Sequence, residues 1–306
     1  MGQDGAVVVS LDFELAWGTH GLDIDNDLEA EQQYRNVKQL LDLFNRYDAP
    51  ATWAVVGHLM LNSCDGSHTS LPRPDGQLGH RWYDEDPGTD SDDAPLYYAP
   101  DLVEAIASTE ISHELGCHTF SHLLCSEASE VVLNAELEQC RTLLQSHGQE
   151  LQSLVYPRNE LAHLDTVADA GIKVIRDVSS EYILRHRRVG GRYRRYARFI
   201  TRRPYTPVVP EPIQEDCWRL PASMYLPFNP LSPTVNDMFA THPRVVRAQK
   251  SIDAAARESG IFHVWAHPQN FDDRLFRDLE SILAYANRQE VPVLTMHEAT
   301  RRYVGE

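Results

Sequence analysis

The residues best suited to chemistry are two histidines and two carboxylates in separate stretches of the chain. In "GCHTFSH", residues 116 to 122, His118 and His122 stand four positions apart. On one helical turn that spacing puts both imidazoles on the same face, where they can reach one ion. With 14 histidines in the chain such a pair also arises by chance, so a third ligand must come from elsewhere. "SLDFELAWG", residues 10 to 18, supplies candidates: Asp12 and Glu14 alternate around Phe13, and in an extended strand they point the same way. A buried carboxylate pair needs a cation or a shared proton. Two histidines and one carboxylate around a metal leave positions open for water and substrate, which describes a catalytic rather than a structural centre. The second carboxylate is then free to act as base, and which acid does which stays open. His267, in "FHVWAHPQNF", ends an apolar run just before Pro268. Across the same face from a metal it becomes a candidate general acid that protonates a leaving amine.

Such residues must be carried by elements that converge. Short apolar, β-branched runs predict strands at 6–13, 51–57, 114–120, 153–157, 173–177, 218–222, 261–267 and 291–296. Apolar residues recurring at three and four predict helices at 34–47, 99–108, 128–147, 164–171, 242–259 and 272–289. Alternating strands and helices mean parallel β-α-β units, as an open sheet or a barrel. Asp12, Glu14, His118, His122, Arg158, Asn159, Arg176, Asp177 and His267 all fall at predicted strand ends. In a parallel β/α barrel those ends share one face, where active sites are built. No glycine-rich phosphate loop follows the first strand, which removes the strongest sign of a nucleotide-binding fold. Residues 62–95, rich in Gly, Pro, Asp and Ser, read as a surface insertion in a single domain spanning 1–306.

Composition narrows the partners. The net charge of -17, with Lys38, Lys173 and Lys250 as the only lysines, argues against nucleic acid and resembles the acidic surfaces of salt-loving organisms. No apolar run is long enough to span a bilayer and the amino terminus lacks the features of a signal peptide, so a cytoplasmic location is expected. The five cysteines form no C-x-x-C pair, which suggests reduced structural thiols and speaks against a cysteine zinc site. One reversal stands out: residues 185–205 carry many arginines and no acid. They suit an exposed amphipathic helix with its loop, or a patch for the diphosphate of an activated or lipid-linked sugar.

"VVVSLDFELAWG", "HELGCHTFSH", "LVYPRNE", "WRLPAS" and "FHVWAHPQNF", in this order, resemble the polysaccharide deacetylase family, carbohydrate esterase family 4, in a branch whose first motif is D-x-E. The resemblance spans nearly the whole chain. It implies a distorted (β/α)7 barrel that removes an acetyl group, most often N-acetyl, from a sugar in surface-polysaccharide or glycan biosynthesis. It implies one divalent ion, commonly zinc, with cobalt, manganese, iron or nickel as alternatives. Position by position, it implies Asp12 as the base, His118 and His122 as metal ligands, and His267 as the acid. The family's commoner pattern has two adjacent aspartates; here Phe13 follows Asp12 and cannot ligate, so Glu14 takes the third position, with the reverse assignment of the two acids open. The resemblance also implies an arginine that orients the base: Arg158, beside Pro157, is the first candidate and Arg176 the competitor. Trp17, Tyr156, Trp265, Phe271 and Arg176 are candidate substrate contacts. The substrate would be an acetylated sugar or glycan precursor, whether free, nucleotide-linked or lipid-linked. The rival readings are a hydrolase of another small amide, and a glycan-binding or assembly protein without turnover.

Overall fold

The structure is a computed structural model that describes residues 5–19, 28–75, 81–178, 191–231, 239 and 241–305, the side chains of 191–195 excepted. The strands are β1 (Ala6–Phe13), β2 (Thr52–Val55), β3 (Glu114–Cys117), β4 (Ser153–Val155), β5 (Val174–Val178), β6 (Glu211–Gln214), β7 (Cys217–Ala222), β8 (Met224–Tyr225), β9 (Ile261–Ala266) and β10 (Val293–Leu294). The helices are α1 (Ala30–Arg46), α2 (Pro100–Ala107), α3 (Glu130–Ser146), α4 (Leu164–Asp169), α5 (Gly191–Ile200), α6 (Pro243–Glu258), α7 (Asp273–Arg288) and α8 (Met296–Val304). Local signals explain their limits. Asp272 caps α7 by accepting from the Leu275 N–H at 2.7 Å, and Thr295 with Glu298 forms a capping box at α8.

Strand order is β6-β7-β5-β4-β3-β2-β1-β9-β8, with β10 beside the start of β1; all pairings are parallel except β6 with β7. β7 pairs with β5 and β8 pairs with β9, yet only Ser223 separates β7 from β8. The Ser223 N–H donates to His263 O at 2.8 Å, so this one stretch joins the two sides of the curled sheet. The expected distorted (β/α)7 barrel results.

Every residue of β1 is buried, because the strand faces helices on one side and the barrel interior on the other. Val7, Val9, Leu11 and Phe13 pack outward with α1 residues Val37, Leu40 and Phe44. Ala6 and Val8 point inward with Ala54, Val155, Val174, Leu220 and Ile261, and Met296 and Ala299 of α8 close that layer from below. Above the apolar layer the interior turns polar: Ser10 and Asp12 of β1, Arg176 of β5 and His263 of β9 are buried there. The packed floor thus supports a polar upper tier at the carboxyl ends of the strands. Among the described residues no helix is long and apolar enough to cross a membrane. The arginine-rich stretch lies partly outside the described residues; its later part contains α5.

Candidate active site

Asp12 is the penultimate residue of β1, and Glu14 follows the strand end. Their carboxylates have different surroundings. Arg176 reaches across the barrel and makes two hydrogen bonds to Asp12, from Nη1 to Oδ1 and from Nη2 to Oδ2, the second at 2.7 Å. Nη1 also donates to Ser10 Oγ at 3.2 Å and Nη2 to Asn159 Oδ1 at 3.2 Å, while the guanidinium lies 4.6 Å from the centre of the Trp265 ring. Arg176 is 0% exposed, and such a fork-to-carboxylate pair fixes both groups. Burial would raise the Asp12 pKa, but the Arg176 charge and hydrogen bonds outweigh it and hold the carboxyl below its ordinary value.

Glu14 instead faces imidazoles. Its Oε2 lies 3.3 Å from His118 Nε2 and 3.1 Å from His122 Nε2, and the three donor atoms all lie within 4.8 Å of one another. The His118 Nδ1–H donates to Val155 O at 2.7 Å, which in a neutral ring leaves Nε2 with its lone pair toward Glu14. A bare nitrogen and a carboxylate oxygen repel unless a cation lies between them, so the donor set suits a divalent ion. Burial also pushes the His122 pKa down, against the pull of Glu14, which favours the neutral ligating ring. Gly18 makes room for the carboxylate: a Cβ there would come within 2.3 Å of Glu14 Oε1.

The histidine spacing works by a route other than the helical turn expected from the sequence. Residues 118–122 follow β3 as an irregular loop, because Thr119 (φ 58°) and His122 (φ 57°) are left-handed. Neighbours hold that loop. The Gly57 and His58 N–H groups donate to Thr119 O and Phe120 O at 2.9 and 2.8 Å. Buried Glu136 of α3 accepts from both the N–H and the hydroxyl of Ser121, and Trp82 Nε1 donates to Ser121 Oγ at 2.8 Å.

His267 follows β9. Its Nε2 lies 3.4 Å from Glu14 Oε1 and 3.7 Å from Asp12 Oδ2, and its Nδ1 is 3.2 Å from Asn270 Oδ1. Tyr225 OH donates to the same Asn270 oxygen at 2.9 Å. Asp12, Glu14, His118, His122, Arg176 and His267 therefore share one face.

The profile of the polysaccharide deacetylase family matches residues 23–175, a span that includes His118 and His122. The chain belongs to the polysaccharide deacetylase family. A search of curated proteins found no significant match. Among solved structures, a Mycobacterium smegmatis protein described as a polysaccharide deacetylase superposes with a TM-score of 0.64 at 14% identity, over 100% of this chain and 92% of that one. A reactivated mutant of a Bacillus anthracis CE4-family pseudoenzyme gives 0.50 at 11% identity, over 98% and 69%. A 4-alpha-glucanotransferase of Thermococcus litoralis gives 0.53 at 8% identity, over 97% and 38%. These likenesses concern the fold, and one of them is to a pseudoenzyme mutant.

For this deacetylase-family chain several sequence expectations need correction. Arg158 is not the partner of Asp12: it is exposed, in a left-handed turn after Pro157, and Arg176 holds the aspartate. Arg176 is accordingly engaged within the protein rather than available to substrate. Trp17 is 0% exposed and packs on His58 and Tyr97, and Tyr156 is 0% exposed with its hydroxyl donating to Ala162 O, so neither ring offers a face to a sugar. Trp265 is buried between Arg176 and Tyr225 and lies beside His267, where it shapes the site. Phe271 is buried against Phe276. Gln269 was missed: its Nε2 donates to Glu14 Oε1 at 3.1 Å. The turn beginning at Pro268 was the available signal for it.

Proposed function

We propose that the chain is a metal-dependent deacetylase that hydrolyses an acetyl group, N-acetyl by preference, from a sugar in surface-polysaccharide or glycan biosynthesis. The carrying observation is the convergence of Glu14, His118 and His122 with an Arg176-held Asp12 and with His267. Glu14, His118 and His122 would hold the ion. A divalent ion bound there supplies Lewis acidity, which makes water nucleophilic near neutral pH and polarises the acetyl carbonyl.

The protein's own groups handle the protons. Asp12 takes the proton from the attacking water; its pairing with Arg176 gives up basicity in return for a carboxylate that is ionised and fixed. His267, oriented through Nδ1 by Asn270, would in its doubly protonated form present an Nε2–H beside both carboxylates and give that proton to the departing amine. The carbon–nitrogen bond breaks as that nitrogen is protonated, acetate and the free amine leave, and no covalent enzyme intermediate is needed. The substrate is an acetylated sugar or glycan precursor, free or attached to a nucleotide or lipid carrier. Residues 1–306 act as one catalytic domain in a reducing compartment, consistent with five free cysteines.

Acetate release from chitin oligomers and nucleotide-linked N-acetyl sugars tests this reading, with zinc-loaded wild type beside Asp12→Asn. Release by wild type and its loss in the variant is the expected result. Metal-loaded wild type that releases no acetate from any acetylated sugar sinks it and favours a glycan-binding role.

A further inference from the structure

Behind the His118–His122 loop lies a second cluster of donors. His58 sits in the turn after β2, and Cys64, His68 and Asp86 lie in the segment before α2. Their donor atoms converge within 4.8 Å of one another. Cys64 Sγ is 3.5 Å from Nε2 of both His58 and His68 and 3.3 Å from Asp86 Oδ2. The same carboxylate oxygen is 2.9 Å from His58 Nε2 and 2.7 Å from His68 Nε2. For a tetrahedral zinc with ordinary bond lengths, neighbouring donors stand about 3.3 to 3.5 Å apart. The sulfur distances match that value, whereas the nitrogen–oxygen distances, 2.9 and 2.7 Å, are shorter by about half an ångström and stand at hydrogen-bond length.

The tautomers identify what the cluster requires. His58 Nδ1 lies 3.0 Å from Tyr97 O, an atom that can only accept, so Nδ1 carries the hydrogen. In a neutral ring Nε2 then bears a lone pair, aimed at Asp86 Oδ2 from a side chain 0% exposed. A cation between them would satisfy both lone pairs, as it would between His118 and Glu14. A zinc ion with one thiolate and one carboxylate is neutral overall, and four protein donors leave no open position.

The surroundings resemble the outer ligands of a metal site. Asp86 Oδ1 accepts from Tyr98 OH at 2.8 Å and from the Gly88 N–H at 3.0 Å, so Oδ2 is the oxygen left for the ion. Gly66, at φ +71°, turns the chain so that its N–H points at Cys64 Sγ from 3.3 Å, a contact suited to a thiolate. The rings of His58 and His68 each lie 5.5 Å from that of Phe120, within the loop that carries His118 and His122.

We propose that His58, Cys64, His68 and Asp86 bind a structural zinc ion that fastens the segment after β2 against the His118–His122 loop. The site is distinct from the proposed catalytic centre and requires no turnover.

Cobalt(II) substitution tests it, because thiolate-to-cobalt charge transfer absorbs in the near ultraviolet and the Glu14 cluster contains no sulfur. The band should appear in wild type, persist in His118→Ala and vanish in Cys64→Ser. Zinc analysis should give two ions per chain in wild type and one in His118→Ala. Should Cys64→Ser not fold, thiol labelling of wild type replaces it: Cys64 is half-buried and the other four cysteines are buried. Its labelling should be slow with zinc and accelerate after chelation. Absence of the band in cobalt-loaded wild type, or labelling indifferent to chelation, overturns the proposal whether or not the protein deacetylates sugars.

Discussion

The Glu14–His118–His122 cluster and the His58–Cys64–His68–Asp86 cluster differ in one decisive respect, the number of donors that the chain supplies. Both contain a histidine whose Nδ1 is tied to a backbone carbonyl and whose Nε2 faces a carboxylate. In the first, three donors stand at strand ends with Asp12 and His267 beside them, which leaves room for water and substrate. In the second, four donors close the shell, and loop backbone occupies its outside. Similar local chemistry would therefore serve reaction at the proposed catalytic centre and architecture at the proposed zinc site. The barrel strands carry the open set, whereas the irregular segment between β2 and α2 carries most of the closed set.

His118→Ala should break this comparison most severely. One imidazole and an oxyacid hold a divalent ion poorly, so acetate release should fall below detection and zinc content should drop by one ion per chain. Loss of both ions would mean that the two clusters are not independent. Asp12→Asn should be somewhat milder: zinc content unchanged, with turnover lower by roughly 10²–10⁴-fold, the usual contribution of a positioned base. Retained kcat would move the base role to Glu14 or to a group outside the barrel.

The barrel frame was readable because its strands and helices carry clear periods, and β1 was anticipated at 6–13 and found at Ala6–Phe13. Which residues of β1 face inward was hidden, since a strand buried on both sides shows no alternation. The partner of Asp12 was placed first at Arg158, with Arg176 only as competitor, for a related reason. Arg158 adjoins a motif proline, whereas Arg176 sits within β5 and meets Asp12 only because the sheet curls. Trp17 and Tyr156 adjoin the motifs in sequence but turn into the core. The second cluster escaped notice because loops, rather than a compact C-x-x-C pattern, bring residues 58, 64, 68 and 86 together. Its clue was a lone cysteine with histidines on both sides.

Arg176→Met sharpens the contrast by removing charge compensation within the protein without touching a proposed metal ligand. It leaves Asp12 buried and unpaired, and breaking one side of a buried pair costs about 3–5 kcal/mol. Urea unfolding should register that loss, and Asp12→Asn combined with Arg176→Met should recover part of it. Equal stability of the single and double variants would show that the pair is not what holds the barrel's polar tier.

The smallest effect is one ring's share of a pH dependence set by buried histidines that belong to neither cluster. His113 packs on Phe44 and Trp53 and accepts from the Ala51 N–H, and burial lowers its pKa to about 4. His263, buried beneath Arg176, is lowered to about 3 by burial first and then by the guanidinium charge. Both folded values lie below the unfolded value near 6.5, so the unfolded chain binds more protons once the pH falls below it. Stability should therefore be full above about pH 6.5 and decline by about 1.4 kcal/mol per pH unit for each ring, until the folded pKa is reached. Urea midpoints measured from pH 7 to pH 5 should show this slope, and His113→Gln should reduce it by one ring's share. An unchanged slope would mean that His113 charges inside the fold, and that burial without a carboxylate does not suffice to keep a histidine of this barrel neutral.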